Sequence, residues 1–377
     1  MKRGLSLTLD YIKKADMFLL ALCLICSIYG MILIWSSTQH FSTGAAPFLR
    51  VQIGAMVLGL LCFVLFSLID LDMIARQWKI LLVFNIGILV ILAFAGTGIA
   101  GGARIWLRFF GIGIQPSEIV KITFIIMMAY HIQYLKEYKS LSPFYLIQLV
   151  IHFSYLAILL PDLGNSLIFI FVFFAMLFLG GVKLRWFALG AILLVLIFII
   201  AWNMDILMEH HTQRFLAPFN PTIDPNNLRW NFQAHRSMIA IGSGQITGQG
   251  LGQGTQTQTG GVPEQQTDFL FSAAGEELGL IGAVLVIVLM ILVIIRCFYV
   301  AYKSRDTLSA LTCVGIGSFV MFQTLVNIGM TMKLAPVIGI APPFFAYGGS
   351  SLVTTFVAMG IVCGVKMRTV SPWKRPL

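Results

Sequence analysis

Long apolar runs follow one another along the chain, and polar residues fall mostly in the gaps between them. Ten runs read as bilayer crossings, at 17–36, 49–69, 79–99, 117–135, 144–160, 164–181, 186–203, 270–298, 308–332 and 345–365. A helix of roughly 20 apolar residues covers the hydrocarbon core of a membrane. None of these runs alternates polar and apolar positions as barrel strands do, which excludes a transmembrane β-barrel. The pattern predicts an all-α integral membrane protein with about ten transmembrane helices, organised as one polytopic domain over residues 1–377. The fifth and sixth runs are short and meet at Pro161-Asp162-Leu163-Gly164. A pair of half-helices broken there would need protein or a water-lined cavity around it. Asp162 is equally placed to cap the helix that follows.

One long stretch breaks the pattern. Between the seventh and eighth runs, residues 204–269 form a large loop, and Trp230 to Gly282 holds the longest polar sequence in the chain. Within it, residues 233–241 read as a short amphipathic helix with Gln233 and Ser237 on one face. Six glycines between Gly242 and Gly254 suit a chain lying tightly on a surface or a sugar. From Gln253 to Gln266, amides and hydroxyls offer many hydrogen-bonding groups at little charge, a composition suited to carbohydrate. A merely flexible loop would share that composition.

Composition agrees with the membrane reading. Hydrophobic residues make up 58% of the chain and charged residues 11%, where soluble domains carry roughly 25% charged residues. The net charge of +10 does not indicate nucleic acid, because the basic residues form no single patch and sit in short clusters between apolar runs. With the N-terminus inside, 17 of the 25 basic residues fall in cytoplasmic segments. That bias places both termini in the cytoplasm and the long loop outside. The first apolar run has no small-residue cleavage site after it and reads as a span, not a cleaved signal. The six cysteines lie in or at the edges of apolar runs, and Cys23 and Cys26 have no polar neighbours. They read as small helix residues, not as a disulfide framework or a metal pair.

Against the positive-inside bias, the basic residues on the outer side need another explanation. Glu118 and Lys121 share a helix face behind Gln115-Pro116-Ser117, as an ion pair that either orients the helix or lines a cavity. Arg104 and Arg108 flank Trp106, as an interfacial anchor or as free cations. Arg214 opens the long loop, and Lys333 precedes the turn into the last span. There, Gly348-Gly349-Ser350-Ser351 places backbone amides and two hydroxyls at a helix start. Such a terminus favours anionic oxygens, and a tight helix entry needs the same residues. Asp268 follows Pro263-Glu264-Gln265-Gln266-Thr267 and precedes Phe269-Leu270-Phe271. A carboxylate there has two readings, a cap on the next helix or a general base under the outer loop. Of Glu276 and Glu277, deeper in that helix, one reads as structural.

Taken in order, QPSE..K, PDLG, GSG..GQGLGQGTQTQ, PEQQTDFLF..AGEELG.IG and P..GI..PF..YGGSS resemble the SEDS family (shape, elongation, division and sporulation) over nearly the whole chain. The GTQTQ run before PEQQTDF resembles the rod-shape elongation members of that family, the RodA type, more than the division type. The resemblance implies a peptidoglycan glycan polymerase in the bacterial inner membrane. It would use lipid II, a disaccharide-peptide on undecaprenyl pyrophosphate, to extend the nascent strand by β-1,4 bonds. It implies Asp268 as the essential acid, and Glu118, Lys121 and Asp162 as charged cavity residues. Lys121, with Arg104, Arg108, Arg214 or Lys333, becomes a candidate contact for the leaving phosphate, and Gln233, Ser237, Ser350 and Ser351 candidate substrate contacts. A divalent cation (Mg or Mn) is an implied helper, although no metal motif is legible. Implied partners are a class B penicillin-binding protein and other elongation-complex membrane proteins. The sequence departs from the family at Gln266, where His is common, so no His relay precedes Thr267-Asp268. It departs again at Arg236, where Gln is usual. A lipid II flippase and a non-catalytic scaffold are the rival readings. A transporter tends to carry internal repeats, and none is evident.

Overall fold

The computed structural model describes residues 11–98, 104–109, 112–138, 163–181, single positions between 188 and 199, and 209–369. The expected span 144–160, most of 186–203, and Asp162 lie outside the described residues.

The chain enters the bundle at α1 (Met17–Ser37), whose first turn is capped by Asp16 accepting the Leu19 amide at 3.2 Å. The same carboxylate receives Arg296 through two nitrogens at 2.8 and 3.0 Å, which ties this end of α1 to α11. Then come α2 (Ala46–Leu68), the short α3 (Leu71–Arg76) and α4 (Trp78–Ala95). A two-stranded hairpin, β1 (Leu107–Phe109) and β2 (Ile112–Ile114), pairs Leu107 with Ile114 and Arg108 with Gly113. It precedes α5 (Pro116–Tyr138) and α6 (Leu163–Leu179). The long loop carries α7 (Glu209–Leu216), α8 (Phe232–Ser243) and α9 (Thr255–Gln258). The chain closes with α10 (Leu270–Glu277), α11 (Gly279–Lys303), α12 (Thr307–Thr331) and α13 (Gly349–Arg368). Six of the described helices, α1, α2, α4, α11, α12 and α13, are long and apolar enough to cross a membrane.

Depth in the bundle follows composition. α12 is richer in Gly, Ser, Thr and Asn than its neighbours, and 67% of its span is buried, against 17% for the more apolar α4. Lipid offers no hydrogen-bond partner, so polar side chains belong inside, and small ones let neighbouring helices approach closely. Thr312 and Thr324 donate to carbonyls four residues back on their own helix. α12 touches α5, α6, α8, α11 and α13 and forms the centre of the packing. Among the described helices, the most extensive contact joins α2 and α13. A side chain at Gly360 would meet the Phe63 backbone at 2.5 Å, so those two helices approach almost to backbone contact.

The hairpin at 107–114 exposes Arg108 while burying Leu107, the period-2 alternation of a strand. Two expectations are corrected. The expected span 270–298 is two helices, broken at Leu278–Gly279, where Gly279 takes φ +68°. Its neighbour across the break is Gly248, at φ +84°. A Cβ on either glycine would collide with the other's backbone nitrogen, at 2.4 Å from Gly279 and 2.7 Å from Gly248. The last helix starts at Gly349, four residues later than the apolar run suggests, because Pro342-Pro343 and the turn after them keep the chain out of helix.

Candidate active site on the loop face

Asp268 sits in a turn, half-buried, just ahead of α10. The Glu264 carbonyl accepts the amides of Thr267, Asp268 and Phe269 at 3.1, 3.1 and 3.3 Å. The cap position of α10 belongs to Phe269, which brings no capping side chain. From below, Asn327 of α12 donates through Nδ2 to the Asp268 carbonyl at 2.6 Å and to the Ile340 carbonyl at 2.8 Å. Asn327 is 1% exposed. The Tyr347 amide donates to the Gln266 carbonyl at 2.9 Å, a second strap between the same two loops. Gly339 lies against the carboxylate: a Cβ there would stand 3.5 Å from Asp268 Oδ2. The turn carrying the acid is therefore fixed to the segment before α13 on both sides, with a residue lacking a side chain beside its oxygen.

The glycine-rich run lies on protein. Its backbone pairs with the α10–α11 break: the Gln249 and Gly250 amides donate to the Glu276 and Glu277 carbonyls at 2.9 and 3.0 Å, and the Leu280 amide donates to Gln245. Both buried glutamates then stitch down the next segment. Glu276 accepts the Gln256 and Thr257 amides and the Thr257 hydroxyl at 2.7, 2.8 and 2.7 Å. Glu277 accepts the Ser36 hydroxyl at 2.7 Å and the Gln258 amide group at 2.9 Å. Gln265 donates to the carbonyls of Ser37 and Thr257. Thr257, Gln258 and Gln265, expected to face a sugar, thus hold the loop to α1 and α10. Both Glu276 and Glu277 are structural.

The remaining candidate residues separate into committed and open groups. Lys121 and Glu118 form an ion pair at 3.0 Å, with side chains 2% and 7% exposed, and the Lys121 ammonium lies 5.2 Å from the Phe319 ring centre. Ser237 is fully buried and donates to the Thr331 carbonyl at 2.8 Å, which joins α8 to α12 and removes it from the loop surface. Lys333 Nζ donates to Asn227 Oδ1 at 2.6 Å. Ser350 Oγ accepts the Gln115 amide at 3.2 Å, so the starts of α5 and α13 meet. Ser351 is half-buried next to it, its carbonyl accepting the Thr355 hydroxyl. Arg104, Arg108 and Arg214 are exposed. Arg214 and the half-buried Gln233 line one open groove of about 530 Å³. Arg236 stacks over Phe232 of its own helix, 5.5 Å from the ring centre. Among the described residues, no three His, Cys, Asp or Glu side chains come together as a metal site.

Sequence reading overlooked Asn327 and Gln52, and it gave a structural role to only one of the two glutamates. Gln52 is fully buried in α2 and brackets the α13 entry, donating to the Ala346 carbonyl at 3.0 Å and accepting the Gly348 amide at 3.2 Å. The available signal was a lone amide inside an apolar run, which lipid tolerates only when it has protein partners.

The family model described as "Cell cycle protein" and named for FtsW, RodA and SpoVE matches residues 16–370. The chain belongs to this FtsW/RodA/SpoVE family. Among its relatives, the probable peptidoglycan glycosyltransferase FtsW of Geobacter metallireducens is 34% identical, covering 98% of this chain and 99% of that protein. The peptidoglycan glycosyltransferase MrdB of Escherichia coli is 31% identical, with 93% of each chain covered. Its fold matches a solved peptidoglycan synthase complex with TM-score 0.76 at 24% identity, over 95% of this chain and 99% of that one. It also matches Thermus thermophilus RodA with TM-score 0.68 at 23% identity, over 95% and 98% of the two chains. This FtsW/RodA-family member is a multi-pass membrane peptidoglycan glycosyltransferase of cell-wall synthesis.

Two results follow from the packing in this glycosyltransferase. Asn327→Leu leaves two carbonyls without donors at about 1–3 kcal/mol each. It also frees the Asp268 turn; if that turn carries the chemistry, kcat for glycan synthesis falls about tenfold or more with KM little changed, and steady-state kinetics and a melting curve of the purified variant check both. Gly248→Ala forces a left-handed residue, costing about 1–2 kcal/mol, and drives its Cβ to 2.2 Å from the Glu277 carbonyl oxygen. A lowered unfolding temperature and faster proteolysis within 244–258 are expected.

Proposed function

We propose that the protein polymerises glycan strands from lipid II on the outer face of the bacterial cytoplasmic membrane, with both termini in the cytoplasm and Asp268 as general base. What carries the reading is the placement of Asp268: a half-buried carboxylate in a turn strapped down by Asn327, with Gly339 beside its oxygen. Asp268 takes the proton from the acceptor sugar's 4-hydroxyl as that oxygen attacks the donor's anomeric carbon. The bond to the lipid pyrophosphate breaks and the pyrophosphate leaves with the bonding electrons. Direct displacement of an α-linked phosphate gives a β-1,4 product, so no covalent sugar–enzyme intermediate is needed. A general base of this kind is worth roughly 10²–10⁴ in rate.

Charge on the departing pyrophosphate calls for cations positioned where it develops. Lys121 and Lys333 are held by Glu118 and Asn227. The exposed Arg104 and Arg108 beside α5 are the better seats. A divalent cation fits here only as an ion carried by the substrate, since magnesium is commonly held by one or two carboxylates plus phosphate oxygens, and no protein-only cage forms among the described residues. Such an ion would add charge neutralisation at the phosphate.

The GTQTQ run supports an elongation role, with a class B penicillin-binding protein as cross-linking partner; a similar fold occurs in a peptidoglycan synthase complex. Relatives named FtsW and MrdB are both similar to this chain, so depletion strains decide: rescue of rod shape supports the elongation role, and rescue of division alone overturns it. Purified protein given lipid II should produce long glycan chains on a gel. Transfer of lipid II between leaflets without lengthening would indicate a flippase, and neither activity a scaffold.

A further inference from the structure

The groove that brings Arg214 and Gln233 together is also lined by Arg229, Trp230, Phe232 and Pro263, and no carboxylate belongs to the lining. Its volume of about 530 Å³ lies within the range of sites that enclose a small ligand or a few sugar units. Every lining residue comes from the long loop and none from a long apolar helix.

Buried polar groups build this groove. Asp224, 5% exposed, accepts the amides of Leu228, Arg229 and Asn231 at 3.0, 3.1 and 2.9 Å. Burial pushes its carboxyl up, but those three amides and the nearby Lys333 outweigh it and hold the group below the usual carboxylate range. Asn231, 1% exposed, donates to the Ala217 carbonyl at 2.9 Å, which clamps the turn onto the end of α7. The backbone of Arg229 and Trp230 is thus fixed opposite Arg214 before any ligand arrives, and preorganisation of this kind cuts the cost of binding. The groove also adjoins the chemistry: Pro263 is bonded to Glu264, whose carbonyl holds the Asp268 amide at 3.1 Å.

We infer that this groove is a subsite for the polysaccharide part of the growing strand, and that it sets how long the enzyme stays on one chain. The inference rests on the polymerase reading above. An indole, a phenyl ring and a proline offer flat apolar faces for pyranose rings, and Gln233 offers both a donor and an acceptor for hydroxyl and acetamido groups. The two guanidiniums match the carboxylates of the peptide stems bidentately, and no carboxylate shares the groove lining with them. A lipid-linked pyrophosphate must stay near its chain in the bilayer, and a groove made wholly of loop residues suits the part of the substrate that leaves the membrane.

The test uses full-length protein in detergent with purified lipid II. Trp230→Ala and Arg229→Ala should each shorten the mean glycan length on a gel at least threefold, and the double variant further. Direct binding is read on the Asp268→Asn protein with fluorescent, uncross-linked disaccharide-peptide oligomers. Either groove substitution should weaken that binding at least fivefold, and millimolar inorganic pyrophosphate should not compete. Asp224→Asn, which touches no ligand, should weaken binding in the same direction, with faster amide exchange at Arg229 and Asn231. Wild-type chain lengths and unchanged oligomer affinity in both groove variants would overturn the assignment. So would displacement of the oligomer by pyrophosphate, which would make the groove a phosphate seat. If the Asp268→Asn protein itself makes chains, it is the base assignment that fails, so the two failures are distinct.

Discussion

Asp268→Asn stops glycan polymerisation by the purified protein, lowering the rate by at least about 100-fold, and leaves the unfolding temperature within a few degrees. Asparagine keeps the size of the side chain and loses only the basic oxygen. The straps on this turn hold the main chain of Asp268, whose carbonyl accepts from the Asn327 side chain and whose amide donates to the Glu264 carbonyl, and the substitution touches neither. Lipid II consumption followed by chromatography, beside a melting curve of the same sample, separates lost chemistry from lost fold. Chain synthesis at a tenth of the wild-type rate would remove Asp268 from the role of base.

Lys121→Met produces the largest loss of stability, about 3–5 kcal/mol, because it leaves the Glu118 carboxylate buried and uncompensated. Lys121 and Glu118 meet at 3.0 Å with side chains almost fully enclosed, among α5 and the Phe319 face of α12. Pairing repays the cost of desolvating both charges, so removing both together is far milder than removing one. The double variant Glu118→Gln, Lys121→Met should regain most of the lost stability, measured by thermal unfolding in detergent. A double variant as unstable as the single one would show that the pair is not what holds this region.

Much of the bundle is legible from apolar run length alone. The helices at Met17–Ser37, Ala46–Leu68 and Thr307–Thr331 lie within a few residues of where hydrophobicity puts them. The reading fails where a polar partner far along the chain intervenes. Residues 270–298 look continuous because apolar residues resume directly after Gly275-Glu276-Glu277, yet those buried glutamates receive the loop at 249–258 and the helix breaks beside them. The amides of Gln258 and Gln265 look free for sugar because their acceptors, on Ser36, Ser37 and Glu277, lie up to 228 positions away.

The residue types by themselves determined that this is a helical membrane protein, and they set apart one long polar stretch and Asp268 as a candidate acid. Those conclusions rest on transfer from water to lipid and on local motif, both of which are properties of short stretches. Tertiary structure alone decided which polar groups remain available. It committed Ser237 and Lys333 to Thr331 and Asn227, and it placed Arg214, Arg229, Trp230 and Gln233 around one groove. It also put Asn327 beneath Asp268. A hydrogen bond joins groups by distance in space, and distance between remote positions is fixed only once the helices have packed.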